Sequence, residues 1–245
     1  MGERKVFRIG GQERESFLQN LVTNDVARLA DGLVWTALLT PQGKYLADFF
    51  LVPDGDAILL DVDAGLAAGL AQRLAMYRLR AKVTIDPTGI AVATGPGAAP
   101  DGAYADPRHP DLGWRAYDGR ASAPMDRDAL RVAHCVPATG IELLPNETYP
   151  LEAGFERLNG VDFRKGCYVG QEVTARMKHK TELKKGFVTV DVAGKAPVGT
   201  EILTGDGRTV GALYTQSGGR GIAYLRFDRA TGPLSAGDAT ITYRA

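Results

Sequence analysis

One eight-residue stretch of this chain combines a thiol, flanking cations and two glycines. Residues 165–172 read Lys-Gly-Cys-Tyr-Val-Gly-Gln-Glu, directly after Arg164. Glycine at positions 166 and 170 lets the backbone turn through positive φ and lets another molecule approach closely. Cations beside Cys167 favour its thiolate, which is the reactive form. The pattern therefore predicts a displayed, reactive sulfur, although a lone intracellular cysteine is more often a small buried apolar residue.

The overall composition is that of an ordinary globular protein and excludes several classes of function. Of the 245 residues, 44% are hydrophobic and 24% charged, and cations and anions number 29 each. Zero net charge argues against general nucleic-acid binding. The two cysteines and three histidines are scattered along the chain, so we expect no metal site made by this chain alone. Without an 18-residue apolar run or an apolar signal core, we expect a cytoplasmic protein with no membrane association.

The elements that must position the motif divide into an α+β body and a terminal β module. Residues 33–39, 45–52 and 57–62 are typical of strands, and turns rich in proline and glycine join them into an antiparallel meander. Apolar residues three or four apart predict an amphipathic helix over residues 66–79. Shorter helices are expected at 15–21 and 126–135, and further strands at 83–85 and 112–117. After residue 185, four segments alternate with period two, which predicts a small, partly closed β-barrel.

Several segments, in the same order, resemble one known family. Residues 165–172, continued by Val-Thr-Ala-Arg, closely resemble the signature of the YgfZ family. Residues 17–26 (Phe-Leu-Gln-Asn-Leu-Val-Thr-Asn-Asp-Val) resemble its N-terminal signature, and residues 42–48 (Gln-Gly-Lys-Tyr-Leu-Ala-Asp) its Gly-Lys strand entry. Residues 106–115 are similar to a segment of the mitochondrial-type subgroup. Members of the family are folate-binding relatives of the glycine-cleavage T-protein, an aminomethyltransferase, and support assembly or repair of iron–sulfur clusters.

The resemblance implies an α+β, aminomethyltransferase-like folate-binding fold of three subdomains in a ring, ending in a small β-barrel. Together with the periodicity, it predicts an N-terminal α+β folate-binding subdomain over residues 1–90. A middle α+β subdomain over residues 91–185 would carry the motif, and a β-barrel module would occupy residues 186–245.

The resemblance also implies tetrahydrofolate or a derivative as the cofactor. A pterin edge offers an amino group and a ring N–H to a carboxylate, its flat ring suits an aromatic face, and its anionic tail suits arginine. The candidate binding residues are Trp35, Arg131, Glu152, Lys165, Gly166, Tyr168, Gly170, Gln171, Glu172 and Arg176. Two of them have equally good structural explanations, since Trp35 fits a core position and Arg131 a simple ion pair. Asp48 lies within an apolar strand, where an acid needs a partner or a ligand.

Cys167 and Asp48 are the candidate catalytic residues, and they separate the functions that stay open. The leading interpretation is a tetrahydrofolate-binding accessory protein rather than a classical enzyme. Its partners would be folate and iron–sulfur assembly proteins or client iron–sulfur enzymes. Cys167 would then bind a transient cluster shared with a partner, attack as a nucleophile, or sense oxidation. In the first alternative the protein is a folate-dependent aminomethyl or one-carbon transferase with Asp48 as acid–base group; in the second it is an interaction scaffold without folate.

Overall fold

The computed structural model describes residues 2–179 and 183–244. Its N-terminal part is built on a five-stranded antiparallel sheet with the order β2-β3-β4-β1-β5. The strands are β1 (Arg4–Gly10), β2 (Val34–Leu39), β3 (Tyr45–Asp54), β4 (Ala57–Asp63) and β5 (Thr84–Pro87). Every residue of β2 is buried, because both faces of the sheet are covered. This accounts for the nearly continuous apolar runs of the central strands.

Helices cover one face of this sheet. They are α1 (Arg14–Gln19) and α2 (Ala64–Arg78), with a 3₁₀ turn at Val26–Ala30. The Asp63 carboxylate accepts a hydrogen bond from the backbone N–H of Gly65 and so caps the start of α2. Leu70 and Leu74 of α2 pack against Phe49 in the first core cluster. The helix predicted over residues 66–79 is thus confirmed.

The middle of the chain packs on the opposite face. A small sheet contains β6 (Ala93–Gly95), β7 (Tyr104–Ala105) and β8 (Trp114–Ala116) in the order β6-β8-β7, with a 3₁₀ turn at Pro110–Leu112. Two helices follow, α3 (Arg127–His134) and α4 (Gln171–His179). Phe155, from the turns between these helices, lies 4.3 Å from Trp35, measured between ring centres. These contacts form a second core cluster on that face of the first sheet.

The C-terminal part is a closed six-stranded barrel with the order β10-β11-β12-β9-β14-β13. Its strands are β9 (Lys185–Ala193), β10 (Thr200–Thr204), β11 (Thr209–Ser217), β12 (Arg220–Arg226), β13 (Leu234–Ala236) and β14 (Ala239–Thr242). Alternating side chains such as Val190, Val192 and Leu213 fill its interior. The four segments with period two become strands as predicted. The expectation of partial closure is wrong, because the short strands β10 and β13 complete the ring.

Two further differences from the predicted elements concern helix α4 and strand β1. No helix is predicted over residues 171–179, which form α4. Glu172 lies in its first turn and Arg176 in its last, as the helix dipole favours. Strand β1 is absent from the sequence prediction, although it pairs with both β4 and β5.

Over residues 2–179 and 183–244, no helix combines the length and the hydropathy required to cross a membrane.

Candidate functional site

A cavity of about 400 Å³ lies where the first sheet, the segment around the second 3₁₀ turn, and helix α3 meet. Asp48 and Phe50 of β3 form one wall, and Arg127 and Arg131 of α3 form another. The rest of the lining comes from Gly2, Arg4, Asp63, Arg108, Leu112, Arg115, Met125, Asp128, Leu130, Pro137, Ala138, Thr139 and Ile141. We call this space the Asp48 cavity.

Asp48 is held by three donors, two of them buried and the third, Thr139, half-buried. Its Oδ1 accepts hydrogen bonds from the Tyr45 hydroxyl at 2.8 Å and the Thr139 hydroxyl at 2.6 Å, and its Oδ2 accepts one from Trp35 Nε1 at 2.9 Å. Burial, reinforced by the Asp48 charge, raises the pKa of Tyr45 far above its ordinary value, so the phenol stays a donor. A carboxylate offers about four acceptor positions. One position therefore stays available to a ligand.

The cavity is rich in guanidinium groups, and Arg127 stands out among them. Burial, together with the like charges of Arg115 and Arg108, lowers the pKa of Arg127 to about 10. Its Nη2 donates to the Thr94 hydroxyl. Among the described residues, no carboxylate lies within ion-pair distance of Arg127. The other four arginines of the cavity already pair with carboxylates, so an entering anion would pair with Arg127.

Arg131, a predicted tail-binding residue, lines the same cavity but already has carboxylate partners. Its guanidinium donates to the fully buried Glu142 and, at 2.9 Å, to Asp128. Glu142 also accepts a hydrogen bond of 2.6 Å from Thr215 in the barrel strand β11. Arg131 therefore links α3 to the barrel while forming part of the cavity wall.

Two aromatic residues expected to stack on a ligand are instead part of the core. Trp35 has no exposed surface, and a Cβ on Gly160 would lie 2.5 Å from its ring. Tyr168 is buried in the same cluster, which raises its pKa to about 12. We therefore correct the stacking role expected of Trp35: this residue holds Asp48 through Nε1 and offers no open face to a ring.

Lys165 of the motif is a buried lysine that holds the backbone in place. Its ammonium group donates to the carbonyl oxygens of Gln19 at 2.7 Å and Asn24 at 3.1 Å, and also to that of Val22. Burial lowers its pKa to about 8. All three acceptors belong to the chain just before and after the end of α1, so Lys165 fastens the motif to the N-terminal part.

Cys167, in contrast, is exposed and makes no disulfide. Gly170 has a φ of +83°, and a Cβ there would lie 2.5 Å from the Thr40 carbonyl oxygen, so glycine is required. Gly166 has no such constraint, since a Cβ there would meet nothing within 4 Å. The motif therefore displays its sulfur as predicted. However, Cys167 does not line the Asp48 cavity.

The other predicted binding residues lie away from the cavity. Gln171 and Glu172 begin helix α4, and Arg176 on its exposed side pairs with Glu172 at 2.6 Å. Glu152 accepts a hydrogen bond of 2.6 Å from Tyr224 of the barrel. Of the twelve predicted site residues, the structure brings Asp48, Trp35 and Arg131 together around the cavity and places the motif residues elsewhere.

Comparison with known proteins is decisive on the family. The human protein named iron–sulfur cluster assembly factor IBA57, mitochondrial, is 31% identical over 94% of this chain and 78% of its own length. The mouse protein of the same name is 29% identical over the same shares. The chain belongs to the IBA57 family of iron–sulfur cluster assembly factors. The resemblance drawn from the motifs is thereby confirmed.

Two further comparisons agree with the fold of this IBA57-family chain. Residues 184–245 match the family described as CAF17, C-terminal beta-barrel domain. The crystal structure of glycine cleavage system aminomethyltransferase T from Bartonella henselae superposes with a TM-score of 0.73 at 12% identity, covering 97% of this chain and 81% of that one. The predicted aminomethyltransferase-like α+β fold is confirmed.

The cytoplasmic location expected from the sequence is wrong for this IBA57-family protein. The human and mouse relatives, and that of Pyricularia oryzae at 30% identity over 74% of this chain and 54% of its own length, are all named as mitochondrial. The expectation rested on the lack of an apolar signal core, and that lack does not distinguish the two compartments because mitochondrial targeting segments are amphipathic.

Sequence reasoning missed most of the arginines of the cavity in this IBA57-family chain. They come from four places in the fold: Arg4 from β1, Arg108 from the turn after β7, Arg115 from β8 and Arg127 from α3. Asp61 was also missed, although it lies among apolar residues of β4 just as Asp48 does in β3. An acid within an apolar strand is the signal that would have found it.

Proposed function

We propose that this protein supports the assembly or repair of iron–sulfur clusters and binds a reduced folate in the Asp48 cavity. Membership of the IBA57 family supports the first part, and the relatives are named as assembly factors rather than enzymes. The observation that carries the second part is one cavity that combines the Asp48 carboxylate with five guanidinium groups. Its volume of about 400 Å³ lies within the range of about 300–1,000 Å³ usual for small-molecule sites.

The side chains of the cavity suit the two ends of a reduced folate. The remaining acceptor position of Asp48 matches an amino group or ring N–H of the pterin. Arg127 has no carboxylate partner among the described residues, so it is free to bind the anionic tail. Planar guanidinium groups also stack well on flat rings.

Cys167 is proposed as the group that meets the iron–sulfur partner. The thiol is exposed and lies outside the cavity, which suits a contact with another protein. Thiolates are the usual ligands of iron–sulfur clusters. One cysteine supplies one ligand, so a cluster bound here would be transient and shared with an assembly protein or client enzyme.

Anaerobic calorimetry with tetrahydrofolate tests the cavity. Asp48→Asn and Arg127→Gln should each weaken binding about 10–100-fold, the worth of a hydrogen bond to a charged group. Arg164→Gln is the matched control, because that side chain is 94% exposed and outside the cavity. Absence of binding to the wild-type protein would favour an interaction scaffold without folate.

Complementation tests the thiol separately. In cells that lack their own copy, Cys167→Ser should keep its folate affinity but fail to restore aconitase activity. Full restoration by this variant would refute the proposed role of the sulfur while leaving the folate site standing.

Aminomethyl transfer is the second candidate, favoured by one observation: the Asp48 carboxylate lies in the cavity of an aminomethyltransferase-like fold. In this case Asp48 would move a proton during transfer of a carbon unit to folate. Turnover of an aminomethyl donor that is lost in Asp48→Asn would establish this activity. No turnover, with folate binding intact, would favour the accessory role.

A further inference from the structure

Two of the three histidines meet an aspartate on the surface outside the Asp48 cavity. A ring nitrogen of His109, a carboxylate oxygen of Asp111 and a ring nitrogen of His134 all lie within 4.8 Å of one another. His109 and Asp111 belong to the second 3₁₀ turn and its cap, and His134 is the last residue of α3. The 24 residues between the histidines hide this proximity in the sequence.

The three side chains contact one another. Oδ2 of Asp111 lies 2.8 Å from Nε2 of His134 and 3.9 Å from Nδ1 of His109. The two imidazole rings are stacked, with 3.7 Å between ring centres and 22° between planes. His109 Nδ1 also accepts a hydrogen bond of 3.2 Å from the backbone N–H of Asp111, which orients its ring.

The same side chains remain open to solvent. Their exposed fractions are 34% for His109, 59% for Asp111 and 23% for His134. An ion can therefore reach the cluster from solution and still find side chains that are largely positioned.

We propose that His109, Asp111 and His134 form a binding site for a divalent cation of the Zn²⁺ or Fe²⁺ class. Two imidazole nitrogens and one carboxylate oxygen are a donor set that this class prefers, and water would complete the coordination. Tetrahedral bonds of about 2.0–2.2 Å place ligand atoms about 3.3–3.6 Å apart, between the present distances of 2.8 Å (Asp111 to His134) and 3.9 Å (Asp111 to His109). Because the two rings are stacked, they must rotate about their side-chain bonds to direct both lone pairs at the ion. The imidazoles would bind the ion in their neutral form, and the contact between Asp111 and His134 would give way to bonds to the ion.

Occupancy of this site would join the two walls of the Asp48 cavity. Arg108, two residues before the 3₁₀ turn, and Leu112, its last residue, line one wall, and Leu130 and Arg131 of α3 line the other. In the metal-free protein the described links at this point are the contact between Asp111 and His134 and the stacking of His109 on His134. A bound cation would replace the Asp111–His134 contact, and the hydrogen bond to Nδ1 of His109 where that nitrogen binds the ion, by three coordinate bonds. The inference stands apart from the proposed function, because it needs neither folate nor Cys167.

Titration of the metal-free protein with Zn²⁺, and anaerobically with Fe²⁺, tests the site. We expect one equivalent of at least one of these ions to bind, and bound Co²⁺ to give the visible absorption of a low-symmetry site. His134→Gln and Asp111→Asn should each weaken binding about 100-fold or more, since even outer-shell partners of a metal are worth about 10–100-fold in affinity. Asp111 is exposed, so its variant should fold even if His134→Gln does not.

Two matched controls identify the ligands. His179→Gln removes the remaining histidine, which is exposed on α4, and Cys167→Ser removes the exposed thiol. Both should bind the ion as tightly as the wild-type protein. The proposal is overturned if neither ion binds the wild-type protein at 100-fold molar excess, if Asp111→Asn binds with unchanged affinity, or if binding is lost in Cys167→Ser.

Discussion

Replacing Asp61 by asparagine should destabilise this protein strongly, because its carboxylate neutralises the buried Arg115 and the half-buried Arg4 beside the cavity. Asp61 has no exposed surface. It accepts hydrogen bonds from Arg4 Nε at 2.6 Å, Arg115 Nη1 at 3.1 Å and the Tyr117 hydroxyl at 2.8 Å. Asparagine keeps the shape of the side chain, but it is neutral, and one of its two polar ends is a donor. At least one of the three donors then loses its acceptor.

The size of the effect follows from this geometry. Removing one partner of a buried ion pair costs about 3–5 kcal/mol. Oδ2 of Asp106 lies 3.5 Å from Nε of Arg115 and partly compensates its charge. We therefore expect the lower half of the range, about 3–4 kcal/mol. For a chain of this length, each kcal/mol lowers Tm by about 2–4 °C, which gives a total of about 6–16 °C.

Urea unfolding, followed by the fluorescence of the buried Trp35 and Trp114, measures this loss. Asp56→Asn is the control on the same sheet, because Asp56 is exposed and pairs with Arg8 at 3.1 Å. An exposed pair is worth about 0–1 kcal/mol. If both variants lose the same free energy of unfolding, Asp61 does not stabilise the arginines beside the cavity.

Three further predictions follow from the motif and from its surroundings. At pH 8 iodoacetamide should label Cys167 about 100-fold faster than Cys135. Burial raises the pKa of the Cys135 thiol to about 11, so about one Cys135 thiol in a thousand is ionised at this pH. Equal labelling rates, measured by mass spectrometry, would contradict this. Gly170→Ala should cost at least about 1–2 kcal/mol through its positive φ alone, whereas Gly166→Ala should unfold at the wild-type urea concentration. Burial by itself would raise the pKa of Asp106, but two neighbouring guanidinium groups lower it below its ordinary value. Its contribution to stability is therefore complete above about pH 4 and is lost as the pH falls further. Asp106→Asn should flatten the acid limb of a plot of Tm against pH, and an unchanged limb would argue against the pair.

The sequence predicts those parts of the fold that local periodicity determines. Strands β2, β3 and β4 and helix α2 follow from apolar runs and from leucines spaced three or four apart, since each pattern matches the repeat of one element. Helix α4 was missed because the glycines at its start indicate a loop. The pair Glu172 and Arg176, four residues apart, was the available signal for a helix.

The site was harder to predict than the fold, because its residues meet only through tertiary structure. Asp48 could be singled out, since an acid in an apolar strand requires partners. Its actual partners, Tyr45 and Thr139, are 94 residues apart in the chain, and their distance of 3.0 Å depends on how the middle of the chain packs on the sheet. No spacing within the sequence encodes that contact. The same holds for His109 and His134.

The motif displays its sulfur because the residues around Cys167 are fixed. The ammonium group of Lys165 donates hydrogen bonds to three backbone carbonyl oxygens, and Tyr168 packs in the core on the other side of the cysteine. Between these anchors Gly166 contacts nothing that would cover the chain, and the thiol stays in solvent. A short segment held at both ends loses little conformational entropy when a partner binds it. Lys165 therefore serves the cysteine by fixing the backbone, since its ammonium group is already committed to those carbonyls. Lys165→Arg keeps the positive charge but does not fit the three carbonyl oxygens. We therefore expect this variant to loosen the backbone at the motif and change the exposure of Cys167.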